Sequence, residues 1–281
     1  MHLIMILAAL GLAWFLRLVC KDSTGSWNER YSRTLLLFLF PSLLLIMTGL
    51  AVLCMGPQGQ MIGLRAGWFS YLLTLGFLGV AGVKCLKLAW SGWRCVLQAR
   101  TYPPLDLGGK RGRVLDTSVL FSALIGFWQP ELVVSQGLLD TLDNAHLDAV
   151  IAHEQAHFYY RDTFWFFWLG WVRDCTAWLP NTESLWEELL ILREVRADHW
   201  AAQQVDPLLL AESLLRVVSD TSLMPSASFC AAFSSVAQKN RLGERIEALL
   251  AEPEVTLQPS LWSWTWLLLA FLPLAAIPFH S

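Results

Sequence analysis

The chain divides by its hydrophobic pattern. Four apolar stretches stand out, at residues 3–20, 34–55, 68–90 and 261–279. Each approaches the ~20 residues that a helix needs to cross the hydrocarbon of a bilayer. Arg17 lies near the end of the first and Pro41 inside the second. Lys84 and Lys87 lie near the end of the third, where long side chains can reach the headgroups. Trp262, Trp264 and Trp266 open the fourth as an interfacial aromatic belt. Basic residues follow the apolar run of the first stretch, the reverse of a cleaved secretory signal. The pattern predicts three transmembrane helices within residues 1–90 and a fourth over 261–281.

Residues 91–260 follow a different pattern. Short apolar runs at Arg113-Val114-Leu115, 119–127 and 131–135, with a Gln129-Pro130 turn, read as strands. Leu132-Val133-Val134 is a candidate edge strand that would align an extended substrate, or one arm of a plain hairpin. A helix is expected over 142–161, where Asp143-Asn144 offers an N-cap and Leu147, Val150 and Ile151 have helical spacing. Further helices are expected over 182–204, 208–220 and 240–251. A small-residue loop at 222–235 could line a cleft or form a lid. Residues 163–171 read TFWFFWLGW, too short to span. They form either a helix dipping into the membrane interface or aromatic packing against the spans. The fold class expected is a mainly α membrane protein with four transmembrane helices. An α+β domain at 91–260 lies between the third and the fourth.

Composition agrees. The chain is 55% hydrophobic and 15% charged, against about 25% charge in soluble domains. A net charge of −3 gives no support for direct nucleic-acid binding. Six scattered cysteines without a C-x-x-C pair read as thiols rather than a disulfide framework. Arg17, Lys21, Arg30 and Arg33 crowd the first loop, and Arg65 stands alone in the second. Arg94, Arg100, Lys110, Arg111 and Arg113 follow the third span. Positive charge stays inside, so both termini are expected outside and residues 91–260 in the cytoplasm, where thiols stay reduced.

The chemistry concentrates in His153-Glu154-Gln155-Ala156-His157, an H-E-x-x-H pentad on the expected helix 142–161. Histidines at i and i+4 share one helix face, so both imidazoles can reach one metal ion. Glu154 is placed to take a proton from a water that the metal activates. A catalytic zinc wants three protein ligands and one open position. Glu194, in the E-x-x-x-D of Glu194–Asp198, is a candidate third ligand. Asp198, one turn further, would orient a ligand histidine. Glu187, Glu188, Asp162 and His199 are rivals, of which Asp162 suits a helix end or a supporting role better. His199 faces a different side of the helix from Asp198.

These residues resemble a known family. Three spans, a cytoplasmic H-E-x-x-H domain and a fourth span resemble the membrane zinc metallopeptidases of bacterial beta-lactam sensor–antirepressors. Residues 127–134 (FWQPELVV) with Gly137-Leu138-Leu139 resemble that family's lead-in to the metal helix. Residues 149–162 (AVIAHEQAHFYYRD) resemble its core motif, and 241–249 resemble a recurring Arg-Ile-x-x-Leu helix. The same motifs are similar to the CAAX prenyl proteases and heat-shock membrane proteases. The resemblance implies a gluzincin-like domain, one zinc ion per chain held by His153, His157 and Glu194, Asp198 behind a ligand, and Glu154 as catalytic base. It implies an endopeptidase of the bacterial inner membrane, acting in signal transduction on a cytoplasmic repressor or on itself. Its partners are the lipid bilayer and a protein substrate. A quality-control protease and a non-catalytic signalling scaffold are the alternatives. The sequence stops just after the fourth expected span, so the family's penicillin-binding sensor domain is not expected.

Overall fold

The structure is a computed structural model of the chain. It describes residues 2–19, 25–58, 60–61, 64–65, 67–107, 110–220, 241–251 and 261–279. The expected loop at 222–235 lies outside the described residues. Two compact units emerge, one of Met1–Leu86, Leu169–Leu189 and Val255–Ser281, the other of Lys87–Trp168 and Leu190–Glu254. The division falls inside three helices, α3 (Trp68–Arg100), α6 (Asp162–Thr176) and α7 (Thr182–Ala201).

The first unit is built on α1 (His2–Val19), α2 (Trp27–Met55) and the first part of α3. All three helices are long and apolar enough to cross a membrane. Ser26 starts α2 earlier than its apolar run suggests. Its hydroxyl accepts the Glu29 N–H at 3.3 Å, the first half of a capping box. Ala9 and Ala13 of α1 let the helix backbones approach Leu44 and Leu45 of α2 closely, with Leu179 and Ala270 in the same cluster. Arg17 is buried, and both of its terminal nitrogens find acceptors. It donates to Phe38 O at 3.2 Å, Ser42 Oγ at 3.4 Å and Thr182 Oγ1 at 3.3 Å, as a buried cation must.

The expected helix over 261–279 takes a different form. Leu261–Leu268 is α-helical, and Leu269–Phe279 winds as a 3-10 helix containing Pro273 and Pro278. Proline has no N–H to donate, and its ring clashes with the carbonyl four residues back, so Pro273 removes a bond from an α-ladder here. Among the described residues, three helices reach membrane-crossing length, and 265–278 is a shorter apolar helix.

The second unit holds a four-stranded sheet. Its strands are β3 (Pro104–Leu107), β4 (Lys110–Leu115), β5 (Ser122–Ile125) and β6 (Glu131–Ser135), in the order β3-β4-β6-β5; β1 and β2 form a separate two-residue ladder at Gln60–Met61 and Leu64–Arg65. This corrects the expected edge. Leu132-Val133-Val134 lies in the interior strand β6, parallel to β4 and antiparallel to β5. Its unbroken apolar run is that of a strand buried on both faces. The edge strand on that side is β5.

Alternation along β6 distributes its side chains. Leu132 and Val134 join Leu120, Leu138, Leu142, Val150 and Ile151, which binds the sheet to α4 (Gln136–Thr141) and α5 (Asn144–Tyr159). Val133 faces the other way, with Ala99, Phe121 and Ala123. On a further side of α5, Ala149 and Ala152 pack on Leu210, Ala211 and Leu214 of α8 (Pro207–Asp220) and Leu249 of α9 (Leu242–Leu250). Helix α5 is therefore clamped between the sheet and α8/α9.

The β6–α4 junction is tight. Ser135 Oγ accepts the Leu138 N–H at 3.1 Å and the Phe121 N–H at 3.0 Å. Gly137 sits so close to Ser118 that a Cβ would come within 2.1 Å of its carbonyl oxygen. Gly137→Ala therefore forces the backbones apart and destabilises this unit by about 1–3 kcal/mol. Thermal unfolding of the detergent-solubilised variant shows this as a lowered midpoint; an unchanged midpoint contradicts the close approach.

Candidate metal centre

The centre is assembled within the second unit from α5, the start of α6, α7 and α9. Asp143 caps α5 by accepting the His146 N–H at 2.9 Å. The apolar clamp on α5 then buries His153 and Glu154 and leaves His157 partly exposed. The two imidazoles meet edge to face, with Nε2 atoms 3.2 Å apart.

Helix α7 brings a carboxylate to them. Glu194 Oε2 lies 3.4 Å from His153 Nε2, and Oε1 lies 3.7 Å from His157 Nε2. One donor atom from each of His153, His157 and Glu194 falls within 4.8 Å of the others, close enough to share a metal ion. Two imidazole nitrogens and a carboxylate are a donor set suited to zinc.

Each histidine is held from behind. His153 Nδ1 is 2.8 Å from Asp198 Oδ1, and His157 Nδ1 is 2.7 Å from Asp162 Oδ2. A carboxylate at Nδ1 keeps the proton there and leaves the Nε2 lone pair for a metal. Asp198 reaches His153 because it lies one turn past Glu194. Asp162 reaches His157 because Arg161, with φ 54, turns the chain sharply between α5 and α6. Glu154 Oε1 accepts a hydrogen bond from Ser122 Oγ at 2.7 Å, so the base candidate touches the edge strand β5.

The other three rivals go elsewhere. Glu188 pairs with Arg30 in the first unit, Glu187 is exposed, and His199 Nδ1 is 2.7 Å from Val195 O. Sequence reasoning missed the arginines. Arg245 is 1% exposed and grips Asp198 with two bonds of 2.8 Å, Nε to Oδ2 and Nη2 to Oδ1, while Nη1 lies 3.4 Å from Glu194 Oε2. Arg193 donates twice to Glu194 Oε1, at 2.9 and 2.6 Å. Arg196 pairs with Asp162 and stacks over Tyr160. The recurring Arg-Ile-x-x-Leu helix pointed to Arg245, though not to its role. Nothing in the pattern pointed to Ser122.

The ionisation states follow. Burial alone would raise the Glu194 carboxyl, but Arg193, His157, His153 and Arg245 overcome it and hold the carboxyl well below its ordinary value. Asp198 is likewise lowered against burial by Arg245 and His153. Asp162 is lowered against burial by His157, Arg196 and Arg193. Burial would lower His153, yet Asp198 and Glu194 push it up to about 10.

A raised pKa stabilises the fold below the unfolded value and loses that contribution as the pH climbs through the folded one. The metal-free protein is therefore expected to lose stability from about pH 6.5 to about 10. Thermal unfolding in chelator across that window tests this. Asp198→Asn should flatten the profile, and a wild-type profile already flat refutes the pairing.

Residues 116–179 match the model of peptidase family M48. The matched stretch contains β5, β6, α4 and α5, with His153, Glu154 and His157, and Asp162 at the start of α6; Glu194 lies beyond it. No curated protein and no solved structure matches the chain. Over this stretch, less than half of the chain, the chain is similar to a metallopeptidase family, whose chemistry is metal-dependent proteolysis.

Proposed function

We propose that the chain is a zinc-dependent integral membrane endopeptidase. The observation that carries this reading is the pair of imidazole Nε2 atoms 3.2 Å apart, facing Glu194 and each backed at Nδ1 by a buried aspartate. His153, His157 and Glu194 hold the ion. Zinc in this set supplies Lewis acidity, which lowers the pKa of a water and polarises a peptide carbonyl.

The rest of the chemistry belongs to the chain. Glu154 takes the proton of the attacking water and delivers it to the departing amine. Ser122, bonded to one carboxylate oxygen, fixes the orientation of Glu154 and leaves the other oxygen to accept the proton. Asp198 and Asp162 keep the imidazoles turned toward the ion. An extended substrate segment pairs along the outer edge of β5, which brings its backbone past Glu154.

The proposed setting is the bacterial inner membrane, with residues 91–260 on the cytoplasmic side. It rests on three helices of spanning length and on the basic residues that flank them. Residues 261–279 form the fourth crossing in this reading. The proposed role is regulatory proteolysis of a repressor or of the chain itself, which rests on the resemblance of residues 127–139 and 149–162 to the sensor–antirepressor peptidases.

Glu154→Gln should retain zinc and lose cleavage by at least about a hundredfold, the scale of a lost general base. His153→Ala should lose the metal. The check is zinc content of the purified variants, with protein N-termini mapped in cells carrying wild type or Glu154→Gln. A single repressor among the lost termini supports regulation. Many membrane proteins point to quality control, and no lost termini with zinc retained refutes the peptidase.

A further inference from the structure

The aromatic run at the start of α6 is not used by the chemistry above. Within the second unit, the β5–β6 turn is fastened to this helix by rings. Phe127 lies 4.9 Å from both Phe164 and Phe167, and Trp128 lies 5.2 Å from Phe164. Three indoles remain on the outside. Trp128 is 74% exposed, Trp165 57% and Trp168 39%. Trp165 and Trp168 share one helix face by their i, i+3 spacing. Arg161, four residues before Trp165, is also exposed.

We propose that Trp128, Trp165 and Trp168 form a lipid-binding surface seated in the headgroup region and outer acyl chains of the bilayer. This rests on the reading of the chain as a membrane protein, and it does not depend on catalysis.

Three observations select lipid as the occupant. First, residues 163–172 contain no charged side chain. At a rise of ~1.5 Å per residue they extend about 15 Å, half the ~30 Å of hydrocarbon, which suits entry into one leaflet and not a crossing. Second, the same helix continues into the first unit, where Trp171 Nε1 donates to Ala81 O of α3 at 2.8 Å. Ala81 lies inside the apolar run 68–90, and its neighbours Val80 and Val83 are exposed as lipid-facing residues are. Trp168 and Trp165 precede Trp171 by one and two turns of that helix. Third, indole is the side chain that favours the interface, with an apolar body and one N–H for the headgroups. Arg161 adds a cation suited to an anionic headgroup.

The same helix starts at Asp162, the carboxylate that holds His157. Asp162 thus lies one turn before Trp165 on that helix.

The test uses the full chain with its native cysteines replaced, reconstituted in nanodiscs of phosphatidylethanolamine and phosphatidylglycerol. Single cysteines at 128, 165 and, as an aqueous control, at the exposed Asp140 carry a nitroxide. Power saturation then reads collisions with oxygen and with a water-soluble nickel chelate. The expected result is high oxygen and low nickel accessibility at 128 and 165, reversed at 140. Nickel accessibility at 128 and 165 equal to that at 140 overturns the proposal. Low accessibility to both reagents also overturns it, in favour of a protein partner. The readout needs no turnover. A Glu154→Gln background should give the same profile, which separates this surface from the peptidase reading.

Discussion

Everything at the centre depends on two imidazoles being held with their Nε2 atoms close together inside a helix packed on several sides. A metal ion shared by such a pair needs the lone pair of both Nε2 atoms. The two aspartates at Nδ1 draw the protons to the opposite side. They can do so only because the clamp of sheet, α8 and α9 fixes α5 in place. The apolar packing and the polar chemistry are thus one construction, in which alanines at 149, 152 and 156 allow close approach and the histidines occupy what remains.

Buried carboxylates require compensation, and the chain provides it in pairs. Arg245 binds Asp198, Arg193 binds Glu194 and Arg196 binds Asp162. Removing one partner of a buried pair is strongly destabilising, on the order of 3–5 kcal/mol, because the other charge is left behind. The arginines arrive from different places. Arg193 and Arg196 lie on α7, whereas Arg245 comes from α9, separated in sequence from the rest. Helix α9 therefore closes the polar cluster as well as the apolar one.

The legible part of this architecture was the part encoded locally. H-E-x-x-H and E-x-x-x-D each place side chains one turn apart on a single helix, so spacing alone brings them together. Asp162 was legible as a helix-end or supporting group, but its partner was not, since the positive φ at Arg161 that returns it to His157 is not visible in the sequence. Arg245 and Ser122 meet the site only through tertiary packing. Strands were expected near β4, β5 and β6 but not at β3, and β6 was read as an edge strand or a hairpin arm because a short apolar run does not tell how many neighbours a strand has. Three long apolar helices were located but their ends were not. Helix α2 starts at a cap outside its apolar run, and α3 continues to Arg100 through an amphipathic stretch that buries Ala99. In the last segment the composition suggested a crossing helix, and two prolines altered its winding.

The contact between Ser122 and Glu154 has a consequence for how the protein tolerates change. Ser122 faces the base because β5 is paired with β6 in one register, Ser122 opposite Val134. A slip of one residue would turn Ala123 toward α5 and send the hydroxyl to the other face. The turn at 126–130, where Gly126 adopts φ 140 and has no room for a Cβ, sets that register. The hairpin acts as a gauge, and an inserted or deleted residue at its tip would be felt as a misaligned proton acceptor on a different element of the fold.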